Sequence, residues 1–151
     1  LRILEKYAVA VGGGDNHRQN LSDGILIKDN HLAALAARGL GLGEVVAMAR
    51  RRARHTQRVE VEVETPEQAA EAAEAGADLV LLDNMSLDEM RRAVDLIRGR
   101  ALAEASGGVT LERVAAVAAT GVDLISVGAL THSARALDIA LDFVAEAGRR
   151  S

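Results

Sequence analysis

Five short apolar runs, each followed by a helical pattern, constrain this chain more than any other feature. The runs are Gly24-Ile25-Leu26-Ile27, Val59 to Val63, Asp78-Leu79-Val80-Leu81-Leu82, Ala101-Leu102-Ala103 and Asp123-Leu124-Ile125-Ser126-Val127. Between them lie stretches rich in Ala, Leu, Glu and Arg, which lose little freedom on entering a helix. Thr65-Pro66-Glu67-Gln68 combines an N-cap, a proline at the first helical position and a Gln at the capping-box position. Ser86-Leu87-Asp88-Glu89 and Thr110-Leu111-Glu112-Arg113 open the next two helices, the first with a full capping box. Gly76, Gly99 and Gly121 stand where those helices should stop.

An internal echo reinforces the pattern. Ala75-Gly76-Ala77-Asp78-Leu79-Val80 and Thr120-Gly121-Val122-Asp123-Leu124-Ile125 repeat one helix end, glycine and strand start. Strands alternating with helices mean parallel pairing through right-handed crossovers, hence an α/β fold. Most of the strands are apolar on both faces, but residues 59–64 read Val-Glu-Val-Glu-Val-Glu. One alternating strand among continuous ones predicts a polar, inward face, as in a barrel lumen. Five units cannot close an eight-stranded barrel. The expectation is therefore one β/α-barrel-like domain over residues 1–151, an incomplete or open TIM-type barrel, unless further strands precede Leu1.

Composition excludes several function classes. Hydrophobic residues at 49% and charged residues at 26% match an ordinary globular protein, with no apolar run near the ~18 residues of a membrane span. The start, Leu1-Arg2-Ile3-Leu4-Glu5-Lys6, has no signal-peptide character, and without an initiator Met it reads as the interior of a longer product. With no Cys there is no disulfide framework, thiolate metal site or thiol nucleophile, which suits a reducing cytoplasm. A net charge of -4 and 1% aromatics argue against nucleic acid. The basic cluster Arg50-Arg51-Arg52-Ala53-Arg54 reads as a solvated helix end, and His55 beside it as surface.

Ligands of parallel α/β folds meet the carboxyl ends of the strands. Those ends read Lys28-Asp29-Asn30-His31, Glu62 and Glu64, Asp83-Asn84, Glu104-Ala105-Ser106-Gly107-Gly108 and Gly128-Ala129-Leu130-Thr131-His132. Lys28 can pair with Asp29 or a lumen glutamate, bind an anion, or form a Schiff base once desolvated. Glu62 and Asp83, on neighbouring ends, suit a divalent cation such as Mg²⁺ or ribose hydroxyls. Glu60, Glu62 and Glu64 on one strand face repel each other unless a cation or basic partners, such as a layer of arginines, balance them. Ser106-Gly107-Gly108 ahead of a helix is a phosphate-cradle pattern, with Gly128 as a second donor; the alternative is plain turn glycines. Gly12-Gly13-Gly14-Asp15-Asn16-His17-Arg18 is an anion-binding loop, Arg18 offering a bidentate fork and His17 a further donor.

Taken in order, GGGDNHR, LSDGILIKDNH, VEVEVE, LLDNMS, EASGGVT and ISVGALTHS resemble the quinolinate phosphoribosyltransferases (nicotinate-nucleotide pyrophosphorylases, decarboxylating), from Leu1 to about Asp142. The resemblance implies attack of quinolinate on phosphoribosyl pyrophosphate, release of pyrophosphate and decarboxylation to nicotinate mononucleotide, with Mg²⁺. It implies that His17, Arg18 and Lys28 grip the substrate carboxylates. Glu62 and Asp83 would face ribose and Mg²⁺, and Ser106, Gly107, Gly108, Gly128 and His132 would hold the 5-phosphate. It also implies a homodimer or higher homo-oligomer. Family members carry an Arg-Lys-Thr strand and an N-terminal domain before the segment matched here, and this chain has neither. The isolated 151 residues are therefore expected to be inactive or nearly so. Two rival readings stand beside this one: another barrel enzyme, such as a Schiff-base aldolase using Lys28, and a non-catalytic fragment of the barrel.

Overall fold

The computed structural model describes residues 1–142. Helix α1 (Arg2–Val11) comes first, then β1 (Ile25–Ile27), and the crossover to β2 (Val59–Val63) carries two helices, α2 (Asp29–Ala36) and α3 (Leu42–Arg52). The next two units are α4 (Pro66–Glu74) with β3 (Leu79–Asp83), and α5 (Leu87–Ile97) with β4 (Leu102–Ser106). The last elements are α6 (Leu111–Ala118), β5 (Leu124–Ile125) and the short α7 (Ala129–His132). The strands form a single sheet in the order β1-β2-β3-β4-β5, every neighbour parallel. Five β/α units in one open parallel sheet are what the alternating runs predict.

After β5 the helical expectation fails beyond four residues. Residues 133–142 form no helix, and Leu137, Ile139 and Leu141 there are exposed. A helix with no apolar face to bury is marginal in water, so local propensity alone does not sustain one.

The capping signals act largely as read. Thr65 Oγ1 accepts from the Gln68 amide, and Ser86 forms a reciprocal box with Glu89. Thr110 marks the start of α6 but makes no side-chain cap. Gly76, Gly99 and Gly121 adopt φ of +93°, +75° and +91°, values a side chain disfavours.

Register sorts the strand residues onto two faces. Val59, Val61, Val63, Val80, Leu82, Ala103 and Ala105 pack against the helices in one apolar core. Facing them are Val46 of α3, Ala69 and Ala72 of α4, and Met90, Ala93 and Ile97 of α5. Alanines on α4 let that helix lie close to the sheet, and each buried Val or Leu contributes about 1.5–3 kcal/mol. The opposite face, by the same period of two, carries Leu26, Glu60, Glu62, Leu79, Leu81 and Glu104. This is the inward face announced by the alternating strand.

The repeated Gly-x-Asp motif has a structural cause. Asp78 accepts the Val59 amide at 2.8 Å through Oδ2 while its own amide donates to the Val59 carbonyl at 2.8 Å. Asp123 does the same to Ala103, at 2.8 and 2.9 Å. Each aspartate clamps the first residues of the preceding strand and so sets register at the amino rim. Arg50 closes an ion pair on Asp78, so one arginine of the basic cluster is anchored rather than solvated. His55 is exposed, as expected.

Candidate active site

Period-two alternation carries the inward face upward to the carboxyl rim. Lys28 follows Leu26 by two residues, Glu62 lies on that face of β2, Asp83 ends β3 and Ser106, its register partner, ends β4. Gly128 follows β5 and is the N-cap of α7. Five positions, one from each strand end, therefore meet at one rim.

Lys28 Nζ stands 3.3 Å from Glu62 Oε2. The Lys28 backbone is held by His31, whose Nδ1 accepts the Lys28 amide at 3.0 Å and so caps α2. Of the readings open for Lys28, the structure realises the pairing with a lumen glutamate. Half of its side chain remains exposed, so it can still reach a ligand. The direct partners of the glutamate row are a lysine and a histidine, Glu62 taking Lys28 and Glu60 taking His17, with the charge of Arg18 acting on Glu60 as well. Glu64, at the end of the row, is exposed to water.

Asp83 accepts from Asn84 Nδ2 at 2.8 Å, and Asn84 itself adopts φ of +53°. Next to it Gly107 has φ of +86°. A Cβ there would stand 2.6 Å from Asn84 Cγ and 2.9 Å from its amide N. Only glycine fits against Asn84 in that conformation. Gly108 also has positive φ, at +57°. Thr110 accepts the Arg113 amide at 3.1 Å through its carbonyl and gives α6 no side-chain cap. Across the rim, a Cβ on Gly128 would lie 2.9 Å from His132 Nε2, so the imidazole rests directly on this glycine. His132 Nδ1 meets Ser133 Oγ at 2.7 Å, which orients the ring.

The glycine loop crosses the inward face. His17 Nε2 contacts Glu60 Oε2 at 3.1 Å, and Arg18 is near enough for its charge to act on Glu60. Glu60 is 6% and Glu104 3% exposed. Ser126 Oγ donates to Glu104. Burial pushes the Glu60 carboxyl above its ordinary range, His17 and Arg18 pull it back, and the negative charge of Glu104 adds to the rise. His17, Glu60 and Glu104 offer one nitrogen and two oxygens within 4.8 Å of one another, enough to surround a cation. Among the described residues no buried side-chain nitrogen or oxygen lacks a partner, so His17 and Ser126 already satisfy these carboxylates. A cavity of about 870 Å³ adjoins them, lined by the glycine loop, α1, the amino ends of β1 and β3 and the length of β5; Lys28, Glu62, Asp83 and Ser106 lie outside its lining.

Sequence reasoning placed Asn84 and Glu104 at strand ends without giving them a role, and it left Ser126 inside the fifth strand. Glu104 and Glu60 lie on strands separated by β3. Their approach depends on sheet curvature, which no local pattern encodes. The glycine at 107 was the available signal for Asn84.

The family model for the C-terminal domain of quinolinate phosphoribosyl transferase matches residues 1–142. A probable nicotinate-nucleotide pyrophosphorylase (carboxylating) of Bacillus subtilis (strain 168) is 50% identical over 142 residues, covering 94% of this chain and 48% of that protein. The Homo sapiens nicotinate-nucleotide pyrophosphorylase (carboxylating) is 40% identical over 148 residues, covering 96% and 48%. NadC from Streptococcus pyogenes superposes with a TM-score of 0.80 at 48% identity, covering 91% of this chain and 47% of that one. The chain spans about half the length of the curated relatives it matches.

Proposed function

The chain belongs to the quinolinate phosphoribosyltransferase family, and from that premise we propose that it is the barrel portion of an enzyme making nicotinate mononucleotide. The reaction joins quinolinate to phosphoribosyl pyrophosphate, releasing pyrophosphate and CO2, in de novo NAD biosynthesis. The observation that carries this reading is the convergence of Lys28, Glu62, Asp83, Ser106 and Gly128 at one rim, each from a different strand end.

The residues divide the substrates between them. Arg18 and Lys28, with His17, bind the two carboxylates of quinolinate and orient its ring nitrogen toward the anomeric carbon. Glu62 and Asp83 present fixed negative charge to the oxocarbenium-like transition state. Ser106, Gly107, Gly108, Gly128 and His132 hold the 5-phosphate against backbone amides. No protein nucleophile is required. Glu62 and Asp83 also fit Mg²⁺: both are hard oxygen donors, and the Lys28 ammonium 3.3 Å from Glu62 marks a carboxylate arranged to face positive charge. Bound there, Mg²⁺ would neutralise the pyrophosphate leaving group. We further propose a homodimer or higher homo-oligomer in the cytoplasm. No described helix is long and apolar enough to cross a membrane.

The aldolase reading is disfavoured by Lys28 itself, half exposed and ion-paired, where a Schiff-base lysine needs desolvation. Calorimetric titration of the full-length protein with quinolinate, and separately with phosphoribosyl pyrophosphate plus Mg²⁺, tests the proposal. Both should bind, the first signal vanishing in Arg18→Ala and the second in Asp83→Ala. Silence with both ligands means the substrate assignment is wrong.

A further inference from the structure

We infer that Glu60 is a positioning residue for quinolinate binding, acting through His17 and never touching the substrate. The inference rests on the reading above, in which His17 belongs to the quinolinate subsite. Glu60 is nine-tenths buried on the inward face of β2, one inward position before Glu62 of the rim. Its carboxylate meets one imidazole nitrogen, His17 Nε2, at 3.1 and 3.4 Å from its two oxygens. A carboxylate only accepts, so Nε2 carries the hydrogen and donates. Nδ1 is then the polar atom the ring has left for a ligand, and it donates to a quinolinate carboxylate when it too carries a hydrogen. The contact also holds the imidazole at the wall of the cavity.

Glu104 completes the device from two strands away. Its carboxylate lies within 4.8 Å of both Glu60 and His17, and it is held in turn by Ser126. Two buried carboxylates so close repel, which favours the arrangement that keeps the imidazole N–H between them and the loop. The glycine loop is tied back to α1, Gly14 N donating to Val9 O at 3.0 Å and Asn16 Nδ2 to Lys6 O at 2.9 Å, but neither bond holds the His17 ring. The sheet, through Glu60, holds that ring.

A double-mutant cycle separates positioning from general structural support. Quinolinate affinity is measured by calorimetry in the full-length protein and in Glu60→Gln, His17→Ala and the double variant. Each single change is expected to weaken quinolinate binding about tenfold, and the double variant no more than His17→Ala alone. Affinity for phosphoribosyl pyrophosphate should not move. Full additivity in the double variant, or an unchanged affinity in Glu60→Gln beside a weakened His17→Ala, overturns the inference. The imidazole N–H resonance of His17, identified by its loss in His17→Ala, gives a substrate-free readout. It should lie downfield in the wild type and move upfield with faster exchange in Glu60→Gln. If His17→Ala leaves quinolinate binding intact, the subsite reading fails. In that case an unmoved resonance in Glu60→Gln would also remove Glu60's hold on the ring.

Discussion

The two rims of the sheet are built from the same kinds of residue and use them in opposite ways. At the amino rim, Asp78 and Asp123 each bind a backbone amide of the neighbouring strand, and Arg50 covers Asp78. Both of these aspartates are committed to holding strands in register. At the carboxyl rim, Lys28 is half exposed, Asp83 is held by one side-chain amide, and two glycines keep positive φ. Charge committed to backbone stabilises the fold and is closed to ligands. Charge held by one mobile partner stabilises little and remains available. The aspartates of one protein can thus be sorted into structural and chemical by what their oxygens already accept.

The sharpest way to break that contrast is Asp83→Ala. Activity of the full-length protein should fall about 10²–10³-fold, roughly 3–4 kcal/mol of transition-state stabilisation, while denaturant stability stays within about 0.5 kcal/mol. A loss of stability comparable to the loss of activity would merge the two rims. Asp78→Ala should do the reverse. It orphans the Val59 amide, on a fully buried residue, and leaves Arg50 unpaired, costing about 2–3 kcal/mol in urea unfolding. Turnover per folded molecule should not change.

Gly107→Ala sharpens the picture of the carboxyl rim. Positive φ and the approach to Asn84 should cost about 1–2 kcal/mol, and binding of a 5-phosphate sugar should weaken with it. The smallest expected effect is a gain. Burial, the largest influence on Glu60, holds its carboxyl above the ordinary value of 4.5, so the folded protein binds that proton more tightly than the unfolded chain does. Stability therefore falls as pH rises from about 4.5 through the raised folded value. Glu60→Gln removes that fall, so its melting temperature relative to the wild type should rise as pH climbs above about 4.5. The gain should fade below pH 4.5, where Glu60 is protonated in both states.

Much of this was legible in the residues themselves. The strand Val59–Val63 is bounded in the structure as its alternation predicts, and Gly76, Gly99 and Gly121 stop helices because few other residues accept their φ. Lys28, Glu62, Asp83, Ser106 and Gly128 reach one rim because each follows a strand in a parallel sheet, where direction is set by topology. What stayed hidden depends on distance across the sheet. The Gly-x-Asp echo was visible as a repetition, but its hydrogen bonds to Val59 and Ala103 required the register. The meeting of Glu60 with Glu104 required curvature over three strands. The end of the helix after β5 at His132, among the described residues, required knowing that Leu137, Ile139 and Leu141 are exposed.

The aspartate clamps also bear on how the chain reaches its structure. Asp78 reaches back only 19 residues to Val59, and Asp123 only 20 to Ala103. The entropy of closing such loops grows slowly with length, so each closure is among the least costly non-local contacts available to the chain. Each strand–helix–strand unit can therefore close on itself before the sheet is assembled. A transition state organised around one such unit would give Asp78→Asn a φ-value near one and leave the ends of β1 near zero. Folding by units of about 20 residues would be fast for a parallel sheet, whose rate is ordinarily limited by distant pairings.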